Sequence, residues 1–212
     1  MSLKYAALVA AMCLFTPAAG ETAENTSKVE LTPFAAYRFG GTFDVTDTDT
    51  SYKMEDSPSY GLLINIRQQP NTQWEILYAQ QQSDASFSDT SAGISRVDVN
   101  LQTLQGGGTY QWEGDTIRPY LAMTLGGTKI KTTATGASQS DTFWSGSIGG
   151  GLQIMPNDHF GIRLEIRAYG TLMDSNTDIF CRTGPNQAVC AVRLDGTLLT
   201  QVETLAGIVL RF

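Results

Sequence analysis

In FGIRLEIRAYG, residues 160–170, charged and apolar side chains alternate without a break. Consecutive side chains of an extended strand point to opposite sides. Arg163, Glu165 and Arg167 therefore share one face, while Ile162, Leu164 and Ile166 share the other. Two kinds of fold accept such a ribbon. A soluble sheet would set the apolar residues on a core and the charges in water. A closed barrel in a bilayer reverses the assignment, with the apolar face against lipid and the charges filling the interior.

The rest of the chain has to decide between them. Strand-like segments are expected at about 29–39, 59–69, 73–83, 96–112, 116–130, 142–155, 159–172 and 197–212, and none carries a helical period. Their connections alternate in length. QPNT, EGD and MPND are short; GGTFDVTDTDTSYKMEDSPS, SDASFSDTSAGIS and the stretch from Met173 to Gly196 are long; KTTATGASQSD is intermediate. Short turns at one rim and longer loops at the other are the layout of a transmembrane barrel. A soluble barrel has no physical reason for it.

Sorting each strand by face gives an apolar set that includes Leu62, Ile64 and Ile66; Trp74, Ile76 and Tyr78; Phe160, Ile162, Leu164, Ile166 and Leu172; and Val202, Thr204, Ala206, Ile208, Leu210 and Phe212. The polar face collects Glu30, Arg38, Arg67, Glu75, Asp98, Arg118, Arg163, Glu165, Arg167, Glu203 and Arg211, five acids against six arginines. In 96–112, Val97, Val99 and Leu101 read as outward, and a β-bulge near QTLQGGG would then restore the phase for Tyr110 and Trp112. The aromatics favour lipid. Trp74, Tyr110, Trp112, Phe160 and Phe212 fall near the turn rim, and Tyr37, Phe39, Tyr60, Tyr78 and Trp144 near the loop rim. Two outward belts of rings suit two membrane interfaces and serve no purpose in water. A mean hydropathy of −0.13 is compatible with this, because half of each spanning strand faces a polar interior.

The first residues set the compartment. MSLKYAALVAAMCLFTPAAG has Lys4, an apolar run from Ala6 to Phe15, then Pro17, Ala18 and Gly20. It reads as a cleaved secretory signal over 1–20, with the barrel domain over 21–212. Cys13 leaves with the signal, so the mature chain carries Cys181 and Cys190. An even count in an oxidising compartment predicts a disulfide closing CRTGPNQAVC. A metal pair is the weaker reading, as no His or third Cys is near. The net charge of −7 argues against nucleic acid as a partner.

Together with the signal and the alternating strands, RPYLAMTLGG at 118–127 and the terminal LAGIVLRF resemble the small outer-membrane β-barrel proteins of Gram-negative bacteria, the OmpA-barrel, OmpX and OmpW type. The resemblance covers essentially the whole mature chain. It implies an all-β, eight-stranded antiparallel transmembrane barrel in the cell outer membrane, with short periplasmic turns, long extracellular loops and no cofactor. It implies outer-membrane lipid and lipopolysaccharide as surroundings. It also implies recognition by the barrel-assembly machinery through Ala206, Ile208, Leu210 and Phe212. No peptidoglycan-binding segment follows the last strand, so no wall tether of that kind is expected.

Some barrels of this kind are enzymes, whose chemistry needs a histidine near the outer rim. The single His159 sits beside MPND, at the turn side, and reads as a polar turn residue. Asp44, Asp47, Asp49, Glu55 and Asp56 in the first long loop match no defined calcium loop, and a solvated acidic loop is the better reading. The glycine runs at 106–108 and 149–151 lack a following GK[ST] and read as kinks or close backbone approaches. The interior charges admit two readings, a network plugging a narrow barrel or the lining of a conduction path. The plug is favoured by the near balance of charge. The leading expectation is a non-enzymatic envelope or surface-interaction protein acting through its loops, with a narrow channel or a transporter of small apolar molecules as the alternative.

Overall fold

The computed structural model describes residues 29–44, 51–53, 55–86, 96–134, 137–173, 181–183, 188–190 and 198–212. Eight strands close into one barrel: β1 (Val29–Phe39), β2 (Ser57–Gln69), β3 (Thr72–Ser86), β4 (Arg96–Gln111), β5 (Ile117–Ala134), β6 (Ala137–Ile154), β7 (Phe160–Leu172) and β8 (Leu198–Arg211). Each pairs antiparallel with its neighbours in the chain, and β1 closes the ring on β8, for example Glu30 opposite Arg211 and Arg38 opposite Glu203. Closure gives each strand a neighbour on both sides around the ring, while Gln82–Ser86 of β3 and Ala137–Phe143 of β6 run on beyond it paired on one side only. Both ends of the barrel sequence lie at the rim of short turns, as an even strand number requires.

The alternation works as the charged ribbon demands. Along β7, Ile162, Leu164 and Ile166 face out while Arg163, Glu165 and Arg167 are buried. Tyr37, Phe39, Tyr60, Trp74, Tyr78, Tyr110, Trp112, Trp144, Phe160 and Phe212 are all exposed. On β8, Ala206, Ile208 and Leu210 occupy outward positions, with Leu210 half-buried, and Phe212, just past its end, is exposed.

Three sequence expectations are corrected. Val99 and Leu101 are buried inside the barrel, and β4 keeps one phase through to Tyr110, with no register shift against β3 or β5. The shift lies elsewhere, between Arg67 and Gln69 of β2. The connection 131–141 is mostly strand, since β5 runs to Ala134 and pairs it with Ala137 of β6. The inward placing of Val99 and Leu101 and the length of β5 and β6 have one cause. At the loop end the strands carry Gln80, Gln82, Asn100, Gln102, Lys129 and Lys131 outward, and Leu101, Ile130 and Phe143 inward. There the wall has left the hydrocarbon, and the pattern reverts to that of a soluble sheet.

The chain leaves β1 through Gly40 and Gly41, with φ of 75° and 133°, conformations that favour glycine. Gly40 N donates to Asp56 Oδ1 at 2.9 Å, so one acid of the first loop serves to fix this exit. Asp47, Asp49, the expected signal over 1–20 and the side chain of Asp98 lie outside the described residues.

Candidate functional site

The interior is the only place in the described residues where charges concentrate away from water, and it is built in tiers. The middle tier is a quartet. Glu75 comes from β3; Arg163, Glu165 and Arg167 come from β7. In a ring of eight, β3 and β7 stand four strands apart, on opposite walls. Glu75 nevertheless accepts from Arg163 Nη2 at 2.8 Å and from Arg167 Nη2 at 2.7 Å. These contacts therefore span the lumen. Arg163 Nε donates to Glu165 Oε2 at 3.0 Å, and Arg167 Nε donates to Glu165 Oε1.

The neighbours complete each group's valence. Asn65 Nδ2 and Thr109 Oγ1 donate to Glu75 Oε2 at 3.1 and 2.8 Å. Tyr120 donates to Glu165 Oε2 at 2.7 Å, accepts from Arg163 Nε at 2.8 Å, and lies beneath that guanidinium at 4.2 Å. Arg167 Nη1 reaches Thr124 at 3.3 Å and Ser147 at 3.2 Å. The quartet carries two charges of each sign and is dry, with Arg167 fully buried. A buried pair holds its charges only when the remaining donors and acceptors are satisfied, and here they are.

One glycine run explains how the quartet fits. Gly149 and Gly151 of β6 pair with Arg167 and Glu165 of β7. A β-carbon at Gly149 would collide with the Glu165 carboxylate and crowd Arg167 Nε. The missing side chains on β6 give the charged side chains of β7 room to lie across the wall. This bears out the reading of 149–151 as a close approach.

Towards the loop end, Arg38 of β1 pairs with Glu203 of β8 at 2.8 Å, and Ser59 and Tyr169 donate to Glu203 at 2.6 and 2.8 Å. Beside them Phe34, Leu63, Leu77, Ala79 and Leu205 pack as an apolar plug. Towards the turn end, Arg211 pairs with Glu30 at 2.6 Å, and Gln153 donates to Glu30 Oε2 at 3.0 Å. Arg67 and Arg118 are half-buried at that rim, and Arg118 Nε donates to Gly114 O at 2.9 Å. Of the interior charges read from sequence, eight meet in ion pairs, Arg67 and Arg118 line the mouth, and the side chain of Asp98 lies outside the described residues.

Sequence reasoning passed over Tyr120 and the apolar plug. Tyr120 shares the parity of Arg118, a signal that was available. His159 is exposed in the turn before β7, where its N donates to Asn157 Oδ1 at 3.0 Å.

The outer membrane protein beta-barrel domain family matches residues 6–181. The chain belongs to this family. Its place is the cell outer membrane, and the short turns therefore face the periplasm. Among solved structures, Neisserial surface protein A is 13% identical, with a TM-score of 0.56 over 88% of this chain and 97% of that one. The outer membrane protein OprG of Pseudomonas aeruginosa is 13% identical, with a TM-score of 0.54 over 88% and 96%. At such identities the likeness is one of fold. No curated protein matches the sequence.

Proposed function

We propose that this barrel is a closed, non-enzymatic outer-membrane protein that stiffens the envelope and presents its loop-end extensions and loops at the cell surface. The observation that carries the reading is the bridge from Glu75 on one wall to Arg163 and Arg167 on the opposite wall. Each of those charges is held by several partners, so opening the lumen at this level would separate ion pairs in a dry environment. An apolar plug above and the Glu30 tier below add two further barriers. The position of the single His159 at the periplasmic turn supports a non-enzymatic role. The expected Cys181–Cys190 disulfide fits the same reading. The backbone pairs those residues directly in a short antiparallel ladder of Cys181–Thr183 with Ala188–Cys190, and the separation across such a ladder falls within disulfide range. A rigid loop would lower the entropy cost of binding a surface partner.

Single-channel recording of the refolded chain in a planar bilayer tests the proposal. A silent bilayer containing folded barrel supports it. Steady, reproducible steps would replace it with transport through a charge-lined lumen.

A further inference from the structure

The lipid-facing wall is almost free of charge, and its two exceptions lie together. Among the outward-facing strand residues whose side chains are described, only Lys129 and Lys131 are charged, both on β5 and both exposed. Neither has an ion-pair partner among the described residues, although Asp141 is exposed on the adjoining strand. Their flanking partners are neutral and polar. Lys129 lies between Gln102 and Thr142, and Lys131 between Asn100 and Ser140.

Their height is decisive. Leu121 of β5 pairs with Tyr110 of the periplasmic aromatic belt. Lys129 is eight residues and Lys131 ten residues further along the strand. At ~3.3 Å per residue and a tilt of ~40°, they stand about 20 and 25 Å above that belt, matching the ~25 Å apolar band of such barrels. Both ammonium groups thus sit on the outside wall at the outer boundary of the hydrocarbon, at the level where lipid phosphates and water meet it. Immediately below, Gly127 separates Leu104 from Trp144, and Trp144 is 76% exposed. The bare backbone at Gly127 leaves a shallow notch beneath Lys129, walled on one side by an indole.

We propose that Lys129 and Lys131, with the Trp144 notch beneath them, form a docking site for lipopolysaccharide of the outer leaflet, held through a phosphate of its lipid A. The lysines supply charge to the phosphate and the notch supplies apolar and ring surface to the sugar and acyl chains. The site is independent of whether the lumen is closed.

Native mass spectrometry of the refolded chain in detergent tests it, with bis-phosphorylated lipid A as the probe. Near an anionic surface each basic residue contributes enough for roughly a 5-fold change in affinity, so the double variant K129Q/K131Q should bind on the order of 30-fold more weakly. K129R/K131R should bind as the unaltered chain does. Both positions are exposed, and an unchanged unfolding midpoint checks that the variants fold. Equal binding by K129Q/K131Q, or of dephosphorylated lipid A, would overturn the proposal. Equal binding of phosphatidylglycerol at the same charge would overturn the assignment to this glycolipid.

Discussion

Glu75→Gln is the perturbation that bears most directly on the interior. The carboxylate receives four donors: Arg163 Nη2 at 2.8 Å, Arg167 Nη2 at 2.7 Å, Thr109 Oγ1 at 2.8 Å and Asn65 Nδ2 at 3.1 Å. A glutamine keeps the shape but removes the charge and turns one accepting oxygen into a donor. In either orientation its amide NH2 then faces a guanidinium. Glu165 alone is left against two arginines, an uncompensated positive charge in a dry site. Breaking a buried pair in this way costs about 3–5 kcal/mol. With a urea slope of about 2 kcal/mol/M, the unfolding midpoint should fall by roughly 2 M. Equilibrium unfolding in lipid vesicles, followed by tryptophan fluorescence, measures it. Adding Arg167→Met removes the stranded charge and should recover about 0.5–3 kcal/mol as a coupling between the two sites. A loss below about 1 kcal/mol for Glu75→Gln, or strict additivity in the double variant, would refute the reasoning, since either result means that water already screens the quartet.

Other expectations follow from the same structure. Gly149→Val should cost about 1–3 kcal/mol by overpacking against Glu165, read in the same unfolding assay, whereas a neutral result would mean the carboxylate has slack. Ile166→Lys places a charge on the lipid face about half-way along β7 and should cost about 2–4 kcal/mol in a bilayer. The intact mass of non-reduced protein should be lower by two hydrogens than that of the reduced form if Cys181 and Cys190 are joined as proposed. Deleting Phe212 should reduce insertion into the outer membrane in cells while leaving refolding into detergent largely intact, as expected if the residue serves assembly.

Much of the fold was legible because the bilayer imposes a harsh rule. Within the hydrocarbon every second residue must be apolar, and Ile162, Leu164 and Ile166 obey it in a way that cannot be confused with a helix. The errors fall where that rule stops acting. Above the outer belt the wall meets water, so Lys129, Lys131 and Gln102 can face out while Leu101 and Ile130 turn inward. Read with the rule for hydrocarbon, the same letters invert, which is why Val99 and Leu101 were expected outside and a bulge was needed to restore the phase. The composition of the site was also readable, as strand by strand these charges fall on the face opposite the apolar set. Their partners were not. Nothing in the alternation indicates that β3 stands opposite β7, because that follows from ring closure and strand count. Nor does it indicate that Gly149 is bare so that Glu165 and Arg167 can lie across β6.

The central claim is that the lumen is bridged from wall to wall, and the most direct measurement is the distance between the Arg167 guanidinium and the Glu75 carboxylate in a lipid bilayer. Solid-state NMR with nitrogen-labelled arginine and carbon-labelled glutamate gives it. Strong dipolar transfer between the two groups is expected, as a hydrogen bond of 2.7 Å from Arg167 Nη2 to Glu75 Oε1 requires, together with guanidinium protons that exchange slowly with water. No transfer, with fast exchange of those protons, would contradict the account and leave an open, hydrated lumen.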